Sequence, residues 1–336
     1  MTRTAPMFLL LLLAACHSVT EFEEEAASRL YLVRTSDFQV ETSMEGFTGG
    51  RTLVPTGAGN MIVIGADGVL HRLNMNSLQV DTSYAIGGGS GSGYFDAATA
   101  DNGNLYVIGP GSSIIEVDLS DNVLEDNFTV TTTPGAISAS TKLGRLYVLD
   151  DGIGDLYEVR TSDNTVINSS GISDPADVMI DRINGRFLVV ACDDEYGSLY
   201  GMDLDLGFSF WKMSLDAEAP CGSILSFGPD SCFAVGCPEW SGSGKVVIVQ
   251  GYRDPHKVEQ AVAGHPLDMC YNSNLGNAGY LFVLSRSDDS RTLVTVLEFP
   301  QSYLGPEMAG QFQMDGFPRD IACPGNGEYL VVLTSE

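Results

Sequence analysis

Basic residues are scarce in this chain. Lysine and arginine together number 17 against 44 aspartates and glutamates, for a net charge of −27. No basic stripe is left to neutralise a phosphate backbone, which argues against nucleic-acid binding. Such acidity keeps a surface soluble and self-repelling; cation binding or a basic partner is the other reading. Histidine is also rare, and beyond the N-terminal segment only His71, His256 and His265 remain. Their spacing gives no reason to expect a zinc site, and no Gly-x-Ser-x-Gly elbow occurs. These absences predict neither enzyme nor cofactor. No long segment carries the 3.6-residue period of a helix. The only long apolar run, Met7 to Leu13, is too short to span a bilayer. The residues that are plentiful are apolar ones, at 44%, and glycine, with 38 copies, a mix that suits an all-β protein with many tight turns.

The short run reads MFLLLLL, follows a single charge at Arg3, and leads into Leu13-Ala14-Ala15-Cys16. An apolar stretch ending in small residues is the pattern of a secretion signal. The ending resembles the lipobox of bacterial lipoproteins. That resemblance implies a signal peptide over residues 1–15, lipidation of Cys16, and anchoring of the protein to a membrane of the cell envelope, facing the periplasm or the exterior. Residues 16–28 then form an acidic tether with a reach on the order of 40 Å when extended.

From residue 29 to 336 the chain is one repeated unit. LYLVRTSDFQVETS at Leu30, LHRLNMNSLQVDTS at Leu70 and LYEVRTSDNTVINSS at Leu156 share a strand, a polar turn and a second strand. Weaker copies start near Ile114, Leu199, Val246 and Val294. A second unit alternates with the first, a run of Leu, Tyr, Val and Ile bordered by Gly or Asn turns. Its copies begin at Met61, Leu105, Leu146, Phe187, Cys232, Leu281 and Leu330, so the spacing lies between 41 and 49 residues. A third strand, often opened by Pro as at Pro175, Pro266 and Pro318, precedes each run. Four strands, here a to d, at a period of about 40–50 residues are the mark of propeller blades.

The order of the strands predicts how the ring closes. The chain opens with a c–d pair, Leu30 to Phe47, and ends with an a–b pair, Phe317 to Thr334. Together they complete a seventh blade and remove two exposed edges. The predicted fold is therefore an all-β, seven-bladed β-propeller whose closing blade is shared by the two ends. LYVIG at Leu105 and LYVLD at Leu146 resemble the repeats of bacterial YVTN-type β-propellers. The resemblance implies the fold and leaves the ligand open.

Six cysteines fall within the repeats. An exported chain permits disulfides. Cys221 opens strand a of blade 5, Cys237 closes strand b of the same blade, and Cys192 holds the matching position in blade 4. Cys221 is expected to bond Cys237 or Cys192. Cys232, Cys270 and Cys323 are expected to be buried thiols.

Three groups of residues are candidates for a site. Asp96, Asp177, Asp268 and Asp320 recur near the starts of strands a, either as an acidic ring for a cation or as caps on backbone N–H groups between blades, the favoured reading. Asp150 to Asp155 forms an oxygen-rich turn without the distal glutamate of a calcium loop. The b–c loops of blades 4 to 6 carry Tyr196, Glu239, Trp240, Arg286 and Asp288, including residue types that dominate contact sites. They are the leading candidates for binding an unidentified protein or envelope ligand. The functional expectation is a monomeric, lipid-anchored binding or scaffold module that meets the membrane only through its anchor. The alternative is a lactonase-like hydrolase or an oxidoreductase with its site at the channel mouth, by analogy of fold.

Overall fold

The computed structural model describes residues 27–336 other than 57–58, 88–95, 141, 182–186, 193–196, 205–207, 220, 229–231, 240, 252–254, 274–278, 288, 300–304 and 326. The strands assort into seven antiparallel four-stranded sheets. Their inner strands, Gly50–Pro55, Ala97–Thr99, Pro134–Ser140, Pro175–Ile180, Ile224–Phe227, His265–Asn272 and Phe317–Ala322, each lie against the next, and the last lies against the first. The chain is a seven-bladed β-propeller.

The closing blade joins the two ends of the fold. Strand c (Ala27–Arg34) pairs with strand b (Tyr329–Ser335), with Ser28 opposite Ser335 and Arg34 opposite Tyr329. Strand d (Gln39–Thr48) flanks it on the outside and strand a (Phe317–Ala322) on the inside. The first strand starts at Ala27, two residues ahead of the boundary read from the sequence.

The apolar b strands explain why the ring has to close. In blade 3, Leu146 and Val148 pack towards blade 2, while Tyr147 and Leu149 pack towards blade 4. All four are at most 2% exposed. A strand buried on both faces reads as a continuous apolar run rather than an alternating one. The core is accordingly divided into seven clusters, one at each blade junction. The outer d strands have one wet face and show a register shift near their start in most blades, as at Val80, Leu124 and Val166. Such bulges blunt the open edges.

The c–d turns add a key between neighbouring blades. Phe38, Leu78, Asn122 and Asn164 occupy the same place in the turns of blades 7, 1, 2 and 3, all with φ between 53° and 59°. A non-glycine residue there costs roughly 1–2 kcal/mol. Phe38 offsets the cost by packing against Phe282 and Phe312 of blade 6, with ring centroids 6.1 and 6.3 Å away. Leu78 packs into the cluster between blades 7 and 1. Asn164 instead reaches polar partners in blade 2.

Two disulfides staple the second half. Cys221 and Cys237 are bonded within blade 5, with Cα atoms 4.4 Å apart. Cys192 is the last residue of strand b of blade 4, Phe187–Cys192. Cys270 and Cys323 form a second bridge, 5.8 Å between Cα atoms, which corrects the expectation that both are free thiols. Cys270 lies in the inner strand of blade 6 and Cys323 just beyond that of blade 7. They meet across a blade junction, which pairing within one blade does not reveal. Cys232 is buried and belongs to neither bridge.

A peptide map of unreduced protein is expected to show Cys221 linked to Cys237 and Cys270 linked to Cys323. The second link closes a 53-residue separation, so Cys323→Ala is expected to lower stability by about 4 kcal/mol in urea unfolding. Equal midpoints for variant and parent would remove the bridge from the account.

Candidate functional site

The strand order gives the ring two unlike faces. The b–c turns and the d–a connections share one face; the a–b and c–d turns share the other. Both ends of the ring, Ala27 and Ser335, lie on the b–c face, where Glu336 N donates to Ala27 O at 3.1 Å.

The loop residues singled out from the sequence belong to the b–c face. Glu239 follows strand b of blade 5 (Cys232–Pro238), in a turn that Glu239 N closes by donating to Ser243 O at 3.0 Å. Ser243 Oγ donates to its carboxylate at 3.3 Å. Arg286 ends strand b of blade 6 (Gly279–Arg286), is exposed, and has no ion-pair partner among the described residues. The two stand on adjacent blades. Tyr196, Trp240 and Asp288, together with Cys16, lie outside the described residues.

The Asp150 turn is held by its own hydrogen bonds. Asp150 Oδ1 accepts from Gly152 N, Ile153 N and Thr133 Oγ1, each at 2.7 Å. Burial pushes its carboxyl up, but these bonds outweigh burial and hold it below its ordinary value. Among the described residues, no three of His, Cys, Asp and Glu are grouped to hold a metal ion.

The recurrent aspartates stitch the blades together. Asp96 Oδ2 accepts from Ile137 N of the next blade at 2.8 Å, and Asp177 Oδ2 from Ile224 N at 2.7 Å. Asp268 Oδ2 accepts from Ile321 N at 3.1 Å, and Asp320 Oδ2 from Leu53 N at 2.5 Å, so the series runs through the closing blade. Three of them also use Oδ1 to accept from the following residue's N–H, at 2.6 to 2.7 Å. Blade 3 has Ala136 at this position and uses Ser138 Oγ, which accepts from Ile180 N at 3.2 Å. Each of these carboxylates accepts a backbone N–H of the next blade, and Asp268 Oδ1 takes the Ser223 hydroxyl at 3.1 Å, which is the capping role and not that of an open cation ring.

The ring is electrostatically crowded. Burial is the largest cause pushing Asp96 up to about 7, with the charge of Asp268 adding to it against two backbone N–H bonds. Asp177 and Asp320 are pushed well above their ordinary values, by burial first and by neighbouring aspartates after it. All three are half-buried by accessible area, so channel solvent softens the effect.

A cleft that the sequence does not announce lies between blades 2 and 3 on the a–b face. It encloses about 690 Å³, within the range of small-ligand sites. Its floor is Glu116, 6% exposed. Glu116 Oε1 accepts from Tyr106 Oη and Asn104 Nδ2, both at 2.7 Å, and Oε2 from Asn164 Nδ2 at 2.7 Å. Asn164 Nδ2 donates to Asp126 Oδ2 as well, at 2.9 Å. Burial, then the bond to Glu116, pushes the Tyr106 phenol above its ordinary value. Asp101, Glu125, Asp126, Arg145, Arg160 and Asp163 line the walls. The signal available in the sequence is an asparagine at a turn position that Phe38 and Leu78 hold in two other blades, a signal that Asn122 of blade 2 shares.

The crowded ring makes stability depend on pH. Folding raises the Asp96 value from 3.8 to about 7, so the folded ring binds more protons than the unfolded chain between those values. Stability from this source is present below the lower value and is lost as pH rises through the upper one. Asp150, Asp216 and Glu259 are held below their ordinary values, and their contribution is lost at strongly acidic pH. Urea unfolding is therefore expected to show greater stability at pH 5.5 than at pH 8, a difference on the order of 1–2 kcal/mol. Asp96→Asn is expected to flatten it; an unchanged slope would show that Asp96 carries its charge at both ends.

No protein-family model and no curated protein sequence matches the chain. Solved structures do. The hydrazine synthase of Kuenenia stuttgartiensis superposes with a TM-score of 0.69 at 15% identity, over 86% of this chain and 96% of that one. The WD40 repeats of RRP9 superpose with a TM-score of 0.68 at 10% identity, over 91% and 97%. The dihydro-heme d1 dehydrogenase NirN, in complex with DHE, gives 0.60 at 13% identity, over 90% and 68%. These neighbours include two enzymes and a set of WD40 repeats; at such identities they share a fold with this chain, a seven-bladed β-propeller, and nothing finer.

Proposed function

We propose that this chain is an exported, lipid-anchored β-propeller that serves as a binding or scaffold module in the cell envelope. The observation that carries the reading is the pair of disulfides, Cys221–Cys237 and Cys270–Cys323. Stable disulfides belong to oxidising compartments, which is where the signal and lipobox pattern ending at Cys16 would deliver the chain. The YVTN-type kinship is part of the same proposal and rests on LYVIG at Leu105 and LYVLD at Leu146. The enzymatic alternative gains no support from the channel, because the carboxylates there are occupied by backbone N–H groups.

The position of the ring's ends supports the anchoring arrangement. A tether leaving Ala27 starts from the b–c face, the face that also carries Glu239 and Arg286. Several buried acyl chains, at about 0.8 kcal/mol per CH₂, would hold such a tether stably. The tether leaves room between the b–c face and the lipid for a partner to reach Arg286.

Metabolic labelling with a palmitate analogue is expected to mark the chain and drive it into the detergent phase on partitioning, and Cys16→Ala is expected to abolish both. Label retained by Cys16→Ala would end the lipoprotein reading. A photoreactive residue at Arg286 is expected to crosslink an envelope partner more strongly than one at Asp81 on the outer edge. Equal crosslinking at the two positions would remove the b–c loops as the recognition surface.

A further inference from the structure

We infer that the cleft between blades 2 and 3 receives a basic side chain of a partner polypeptide, lysine or arginine, directed at Glu116. The inference adds a second, independent contact surface to the binding-module reading and does not depend on the lipid anchor.

The cleft has a structural cause. At the junction of blades 6 and 7 the turn position is filled by Phe38, and at that of blades 7 and 1 by Leu78. At the junction of blades 2 and 3 it is filled by Asn164, a smaller side chain with a polar end. Space that Phe38 and Leu78 occupy at those two junctions is left open and polar here, where the Asn164 amide reaches Glu116; Asn122 holds the same position between blades 1 and 2.

The charge inside that space is unbalanced. Glu116 is more than nine-tenths buried, yet the donors it receives, Tyr106, Asn102, Asn104 and Asn164, are all neutral. No lysine or arginine among the described residues pairs with it. A buried carboxylate without a counter-ion is costly, and an arriving cation recovers part of that cost. Asn164 Oδ1 is buried and accepts no hydrogen bond, so an acceptor there waits for a donor. Glu125 and Asp126 add negative charge at the wall, and Glu125 has no described partner.

The wall cations indicate what kind of ligand carries the charge. Arg160 is spent on Asp163 at 2.9 Å, and Arg145 on Glu158 at 3.1 Å, yet both remain partly exposed at the cleft. A polyamine, which has donors only, would meet two guanidinium groups of like charge. A peptide brings backbone carbonyls for the arginines along with a cationic side chain for Glu116. The volume, about 690 Å³, is far larger than a bare metal ion requires, and the described carboxylates do not converge as metal ligands. The observations therefore favour a peptide over an inorganic or small organic cation.

The test is a titration of the full chain, followed by calorimetry and by amide NMR, with three probes. These are acetyl-Gly-Lys-Gly-Lys-Gly-amide, the same peptide with glutamine for lysine, and spermidine. The lysine peptide is expected to saturate and to shift the side-chain amides of Asn104 and Asn164, with affinity about tenfold above the glutamine peptide. The pair Glu125→Gln and Asp126→Asn is expected to weaken it about fivefold at low salt without lowering the melting midpoint. Asp81→Asn, on the outer strand of blade 1, is expected to leave it unchanged. Equal weakening by Asp81→Asn, or spermidine binding as tightly as the peptide, would reduce the effect to general polyanion attraction and overturn the inference. So would the absence of saturable binding by the lysine peptide. Failure of the lipid labelling would leave this result untouched.

Discussion

A sheet with two apolar faces is unstable in water unless something covers both. Every blade here has that problem, because its b strand sends alternate side chains to opposite neighbours, as Leu146 and Tyr147 do in blade 3. The solution is circular: each blade is the cover of the next, and no blade is an end. Closure by the Ser28–Ser335 register is thus the condition on which the seven clusters depend. The aspartate stitches and the cross-blade disulfide are reinforcements of this arrangement. Each connects neighbours along the circumference, where an opening would expose two apolar sheets at once.

Reinforcement has an electrostatic consequence. Four carboxylates near the channel hold blades together by accepting backbone N–H bonds, but they do so close enough to sense one another. Hydrogen bonding favours the charged form and burial opposes it. The same residues are both the stitching and a source of tension, and the balance between those roles is set by protonation. A strongly acidic chain built this way concentrates its repulsion at the centre as well as on the surface.

What the sequence made legible follows from what a single blade contains. The b runs, the Pro-led inner strands and the open c–d and a–b halves are all local patterns, and each maps onto the strand it predicts. Asp96, Asp177, Asp268 and Asp320 were legible as caps because the repeat aligns them. Features made by two blades were not legible in this way. The Cys270–Cys323 bridge joins residues that only circumferential packing brings together. The cleft at Glu116 required knowing that the Asn164 turn points into the preceding blade. Cys232 was read correctly as a buried thiol because its own strand decides its burial.

The juxtaposition of Ala27 and Glu336 has one more implication. A ring whose ends touch has no intrinsic first blade; the polypeptide could be joined there and interrupted at another turn with the same set of neighbours. Anything appended to either end emerges beside the other, on one side of the disc. The opposite side, with its a–b and c–d turns, stays clear of attachments.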